Sequence, residues 1–219
     1  KTMIYKNYCE LAHLVRENIS TLPSTIDLVV GVPRSGCVPA SMIAAYLNIS
    51  YCSLSELSSG IENTHGITRA PTGVHIVNPQ QRNHILIVDD STQSGNTIKA
   101  TKSKIESLQL KCDITYLCVY STNKTKRLVD ISFEILDGHR IFEWNALHRP
   151  EVSNYAFDLD GVLCVDPSSQ QNDDGPNYLD FIVSAKPKFL PTYEIGCIVT
   201  SRLEKYRDQT EEWLRKNNV

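Results

Sequence analysis

The stretch ILIVDDSTQSGNTI, Ile85 to Ile98, decides how the chain is read. An apolar run ends in two adjacent carboxylates, Asp89 and Asp90, and passes into Ser91, Thr92, Gln93, Ser94, Gly95, Asn96 and Thr97. An ordinary turn needs one glycine or asparagine, not a run of small polar residues. Ile85–Val88 reads as a buried strand and Thr97 to Leu108 as a helix, so the polar run links a strand to a helix N-terminus. Backbone N–H groups in such a loop, with the helix dipole behind them, make an anion cradle. The hydroxyls of Ser91, Thr92, Ser94 and Thr97 add donors. Carboxylates repel phosphate but accept hydrogen bonds from sugar hydroxyls. An acidic pair beside a phosphate cradle therefore suits the vicinal hydroxyls of a ribose phosphate.

The surrounding pattern is strand alternating with helix. Ile26–Val30 reads as a strand followed by a helix over Pro39–Leu47, and Ile114–Val119 as a third strand. Tyr155–Phe157 and Ile195–Val199 read as two more, with a helix over Glu204–Lys216. This alternation predicts βαβ units and a mostly parallel sheet, with ligands beyond the carboxyl ends of the strands. Ser55–Arg82 has little periodicity and reads as a long loop, of the kind kept for active-site lids. The pattern restarts near Arg149-Pro150, which places one domain at 1–150 and a second at 151–219.

VDDSTQSGNT, Val88–Thr97, resembles the motif by which class I phosphoribosyltransferases bind 5-phosphoribosyl 1-diphosphate (PRPP). Ser94 stands where threonine is commoner and Asn96 where glycine is common. The resemblance implies that Asp89 and Asp90 hold the ribose hydroxyls and serve catalysis, and that Ser91–Thr97 (Ser91, Thr92, Gln93, Ser94, Gly95, Asn96, Thr97) hold the 5-phosphate. GVPRSG, Gly31–Gly36, imitates the glycine spacing of a Walker A loop but continues in Cys37 and Val38 instead of Lys-Ser/Thr. It is similar to the pyrophosphate loop of the same family, which implies that Arg34, Ser35 and Gly36 meet the departing pyrophosphate. In that family this loop often carries a strained peptide bond. The Ser55–Arg82 loop falls where the family keeps its mobile catalytic loop, and His65 and Arg69 are its candidates for contacting pyrophosphate. The implied reaction is displacement of pyrophosphate at the anomeric carbon of PRPP by an acceptor, with Mg²⁺. Phe142 and Trp144, in HRIFEWNALHR, either stack on that acceptor or seal the core. No Lys-plus-aromatic hood of the kind that many purine enzymes carry is visible.

A second acidic loop, YAFDLDGVLCVDP (Tyr155–Pro167), resembles motif I of the haloacid dehalogenase-like (HAD) phosphatases. Carboxylates at i and i+2 on a loop leaving a strand can serve as one nucleophile and one acid, with Mg²⁺ between them. The resemblance implies Asp158 as nucleophile, Asp160 as general acid–base, and both as metal ligands. CIVTSR, Cys197–Arg202, looks like motif II, with Thr200 binding the phosphoryl group. The lysine of motif III and the acidic pair of motif IV have no counterpart before Val219, so this domain is expected to be truncated. The fold class expected is α/β: a mostly parallel sheet flanked by helices, followed by a partial Rossmann-like HAD domain.

Composition narrows the partners. The 219 residues are 41% hydrophobic and 21% charged, with a net charge of -3 from 22 Lys+Arg and 25 Asp+Glu, a globular balance without a field that attracts nucleic acid. No apolar run approaches the ~20 residues of a bilayer span, and no secretory signal is visible at the N-terminus. The chain opens at Lys1 rather than at methionine, as a fragment would. Seven cysteines (Cys9, Cys37, Cys52, Cys112, Cys118, Cys164, Cys197) without a C-x-x-C spacing argue against a disulfide framework and a zinc site, and for a reducing cytoplasm.

Expected partners are PRPP, Mg²⁺ and an acceptor, glycan or nucleobase, with a homodimer left open. Pairing a transferase with a phosphatase makes sense if the product is a plain ribofuranoside, so the first expectation is a sugar or polysaccharide hydroxyl as acceptor. Nucleobase salvage is the alternative, and a PRPP-sensing regulator is the third.

Overall fold

The computed structural model describes residues 3–61, 63–64 and 76–219. In chain order the first part holds β1 (Ile4–Lys6), α1 (Tyr8–Asn18), β2 (Leu28–Gly31), α2 (Cys37–Leu47), β3 (Ser50–Ser53) and α3 (Leu54–Ser59). The two short strands β4 (Asn63–Thr64) and β5 (Ile76–Val77) follow, then β6 (His84–Ser91), α4 (Asn96–Ser107), β7 (Asp113–Ser121), β8 (Ile131–Ile135) and β9 (Arg140–Phe142). The last part holds β10 (Ala156–Asp158), α5 (Pro176–Ser184), β11 (Cys197–Val199) and α6 (Arg207–Lys216). The chain divides into two compact units, Lys1–Ile141 and Phe142–Val219. The sequence pattern suggested a boundary nearer Arg149-Pro150. Residues 142–149 fall in the second unit, where the Leu147 carbonyl accepts a hydrogen bond from Thr192 N at 3.1 Å.

The first unit is built on a five-stranded parallel sheet in the order β3-β2-β6-β7-β8. Strand β2 is buried throughout, and β6 is buried as far as Asp90. Their unbroken apolar runs belong to central strands covered on both faces. Leu28, Val30, Ile85 and Ile87 join Leu54, Leu57 and Ile105 in one core cluster. Val29, Leu86 and Val88 alternate to the opposite face, where α2 packs on β2 and β6.

Two helices of this unit escaped the sequence pattern. Helix α1 buries only Leu11 and Val15, too thin a stripe to register, and is started by a reciprocal capping box. Glu10 N donates to Asn7 Oδ1 at 2.8 Å and Asn7 N to Glu10 Oε2 at 2.9 Å. The reading of Ser55–Arg82 as one loop is corrected at its start. Ser53 and Glu56 form a second capping box, α3 runs to Ser59, and Gly60 ends it at φ +63°. Strands β3 and β8 were also missed, because half-buried edge strands lack the long apolar runs of β2 and β6.

The second unit holds a two-stranded parallel pair, β10 with β11, and the helices α5 and α6. Its core joins Leu159, Leu163, Tyr178, Phe181, Ile182, Tyr206 and Trp213. Helix α5, absent from the sequence reading, buries Tyr178, Phe181 and Ile182 at i, i+3, i+4 spacing. Asp173 accepts from Gly175 N (2.9 Å) and Tyr178 N (3.0 Å) at its start. Trp213 is 3% exposed, and its indole N–H donates to the Ala185 carbonyl at 2.8 Å. Trp213→Ala should destabilise this unit by about 3–5 kcal/mol, through lost burial and an orphaned carbonyl, read by denaturant unfolding.

Candidate active site

Strand β2 ends at Gly31 beside Val88, while β6 runs on to Ser91 at the same carboxyl edge of the sheet. Gly31 pairs with Val88, and Val32 N continues the ladder to the Val88 carbonyl at 2.9 Å. The loops that follow them, Val32–Gly36 and Thr92–Gly95, therefore open on one edge of the sheet. A side chain at Gly36 would place its Cβ 2.6 Å from Val32 O, 2.8 Å from Val88 O and 3.0 Å from Asp89 Cα, so only glycine lets the two loops meet. The Pro33–Arg34 peptide between them is cis.

The helices behind these loops start differently from the others of this unit. Helices α1 and α3 have side-chain capping boxes and a glutamate in the first turn. Helices α2 and α4 start at Gly36 and Gly95, with no side-chain cap and no acid in the first turn. An uncapped N-terminus keeps its positive dipole end for an external anion. At α2 the first amides are already taken, Cys37 N by the Arg34 carbonyl and Val38 N by the Ser35 carbonyl at 3.1 Å, and Pro39 has none, so that helix offers its dipole rather than free donors. In the second loop the amides of Gln93, Ser94 and Gly95 make no hydrogen bond among the described residues. Gly95 sits at φ +82°, a conformation that suits glycine.

Asp89 and Asp90 stand just before Ser91, the last residue of β6, and are 6% and 4% exposed. Asp90 N donates to Asp89 Oδ1 at 3.0 Å. Burial, and then the charge of Asp90, push the Asp89 carboxyl up to about 8. Ser91 is half-buried and closes the strand, while Gln93, Ser94, Asn96 and Thr97 are exposed. Ser94 Oγ accepts from Asn96 N at 3.3 Å. Arg34 is exposed and Ser35 half-buried in the first loop. His65 and Arg69 lie outside the described residues. The pairing of β4 with β5, Thr64 opposite Ile76, brings the two flanks of that segment together.

Two further contributors were not legible in the sequence. Thr92 is buried, its amide donates to the Tyr120 carbonyl at 2.9 Å, and its own carbonyl accepts from Thr125 Oγ1 at 3.1 Å. Thr125 thus ties the loop after β7 to the cradle, and its position after an unrelated strand gave no local signal. Arg140 is half-buried, and its guanidinium is lowered by burial, with Asp90 and Asp137 opposing the shift. Phe142 and Trp144 are 6% and 9% exposed and stack on each other, with centroids 4.9 Å apart at 18°. Of the two readings, stacking on the acceptor or sealing the core, this burial supports the core.

In the second unit Asp158 ends β10 opposite Val199, and Thr200 follows β11, so the parallel pair delivers both to one edge. Asp158 is exposed, and its Oδ1 accepts from Leu159 N at 2.7 Å. Asp160 turns inward. Arg202, whose side chain is 1% exposed, donates from Nη2 to Asp160 Oδ1 at 2.6 Å and from Nε to Oδ2 at 3.0 Å. Among the described residues no three His, Cys, Asp or Glu side chains come together as a metal group.

The starts of α2 and α4, neither with a side-chain cap, and the buried acidic pair thus share one edge of the parallel sheet. The family model for the phosphoribosyl transferase domain matches residues 2–148, and the chain belongs to that family. The purine phosphoribosyltransferase of Pyrococcus horikoshii shares the fold at a TM-score of 0.50 and 18% identity, over 66% of this chain and 95% of that one. The Helicobacter pylori xanthine-guanine-hypoxanthine phosphoribosyltransferase aligns at a TM-score of 0.47 and 15% identity, over 65% of this chain and 92% of that one. No curated protein matches the chain. Among the described residues no helix is long and apolar enough to cross a membrane.

The raised Asp89 carboxyl keeps its proton in the folded protein between about pH 4 and pH 8, where an unfolded aspartate has lost it. The stability this adds is full below about pH 4 and is lost as pH rises through about 8. The melting temperature of the unliganded protein should fall from pH 5 to pH 9, and Asp89→Asn should flatten that slope. Arg202→Met, which strands Asp160 without its partner, should cost the second unit about 3–5 kcal/mol by denaturant unfolding.

Proposed function

We propose that this phosphoribosyltransferase transfers the 5-phosphoribosyl group of PRPP to a nitrogen of a nucleobase. The observation that carries the donor is the buried Asp89–Asp90 pair between two uncapped helix N-termini. The amides of Gln93–Gly95 and the start of α4 take the 5-phosphate, and the carboxylates accept the ribose hydroxyls. Arg34, Ser35 and the Gly36 amide take the pyrophosphate, beside the N-terminus of α2. The acceptor lone pair attacks the anomeric carbon as the C1–O bond to pyrophosphate breaks and its electrons leave with that oxygen. The acceptor nitrogen then loses its proton. Positive charge builds on the ribose ring in the transition state, and the acidic pair stabilises it as Asp89, which holds its proton in the unliganded protein, gives that proton up beside the developing charge. Mg²⁺ would arrive with the substrate as its pyrophosphate complex: Asp89 and Asp90 are the carboxylates that would face it, and it would neutralise charge on the leaving group. The nucleobase is favoured by kinship, since a structure that shares this fold is a purine phosphoribosyltransferase.

A second reading rests on the second unit. Asp158 and Thr200 at one edge of a parallel strand pair suit a phosphoryl-binding loop. We assign residues 151–219 to a HAD-like domain, with Asp158 as nucleophile and metal ligand. Asp160 could join it only by leaving Arg202. In this reading the acceptor is a glycan hydroxyl, and the 5-phosphate is later removed.

Pyrophosphate release from Mg²⁺-PRPP, measured against nucleobases and glycan acceptors, separates the two. Release with a base and without phosphate release is expected, and Asp90→Asn should slow it by about 10²–10³-fold. Release only with glycans, accompanied by inorganic phosphate, would replace the first reading by the second.

A further inference from the structure

The 5-phosphate side of the site carries cations that the transfer chemistry does not use. Lys99 ends the first turn of α4, and Lys124, Lys126 and Arg127 follow β7; all four are exposed. Packing places them beside the cradle. Thr125 bonds to the Thr92 carbonyl, Leu128 closes on Gly95, and Ile98 packs with Val129 and Leu128. None of the four forms an ion pair among the described residues. The nearby carboxylates have other partners: Asp137 binds Asn123, and Asp130 accepts from Tyr116 N at 2.7 Å. Lys99 also sits at the wrong end of its helix for stability, since cations are favoured near C-termini.

The cradle itself offers neutral amides and hydroxyls. It lies beside two buried aspartates, and any charge they carry opposes an incoming polyanion. Long-range attraction must come from elsewhere. We propose that Lys99, Lys124, Lys126 and Arg127 form an electrostatic rim that draws the 5-phosphate end of PRPP onto the cradle, setting its rate and orientation of arrival. The inference rests on PRPP being the donor. Exposed cations at the mouth of a site act through a field reaching about one Debye length, ~10 Å at 0.1 M salt, and such fields raise association rates by roughly 10–10³-fold. They add little to the final complex, where the amides of the loop make the contacts.

The test is stopped-flow association of Mg²⁺-PRPP, followed by displacement of a fluorescent ribose-phosphate analogue, over a range of salt. The quadruple variant Lys99→Gln/Lys124→Gln/Lys126→Gln/Arg127→Gln is compared with wild type after both are shown to melt alike. The association rate should fall about tenfold at low salt and converge within about twofold at ~0.5 M, with dissociation unchanged. If the quadruple variant does not fold, Lys124→Gln/Lys126→Gln should show the same pattern at about threefold. A loss confined to dissociation and indifferent to salt would make these residues direct contacts and overturn steering. Wild-type rates in the variant would reduce the rim to a solvated surface while leaving PRPP as donor. A wild-type protein that binds no PRPP would remove the donor reading and the rim together.

Discussion

The site depends on a contact that has no room for a side chain. Gly36 brings the loop after β2 against the Val88 carbonyl and the Asp89 backbone, so two helix N-termini face one volume. The register of β2 on β6 makes this contact, because Gly31 and Val88 are partners and both strands stop at the same edge. Everything polar in the site is referred to that edge. The acidic pair rides on the end of β6, the first loop on the end of β2, and Thr125 anchors the second loop from β7.

Placing the carboxylates inside the strand rather than beyond it has an electrostatic consequence. At 6% and 4% exposure they exchange water for each other, and Asp89 responds by holding a proton. In the proposed reaction, ribose hydroxyls and the positive charge developing on the ring would supply what burial removed. The helices repeat the logic with opposite sign. Helices α1 and α3 are closed by their own glutamates, whereas α2 and α4 start at glycines without a side-chain cap, and the loop amides before α4 stay open.

The second unit keeps its polar groups differently. Asp158 stays exposed at the strand edge, whereas Asp160 forms a buried pair with Arg202 that also meets Thr210 at 3.2 Å. Two carboxylates two residues apart thus have unlike roles: one faces solvent, and the other ties the loop after β10 to the segment after β11. Their i, i+2 spacing alone suggested a working pair, and nothing local showed that Arg202 would claim one member.

By itself, the sequence determined the parts whose signal is local. The run Ile85–Val88 ending in Asp89-Asp90 and a polar loop could only be a buried strand feeding a helix, and the same alternation gave a mostly parallel sheet. Helices α1 and α3 were hidden because their apolar stripes are thin and their stability comes from caps, and α5 was missed although its apolar stripe is regular. Tertiary structure alone decided what lies next to what. It set Gly36 against Asp89, Thr125 against Thr92 and Arg202 against Asp160. Each pairs residues from different segments, and such contacts depend on strand register and helix packing, which local patterns do not carry.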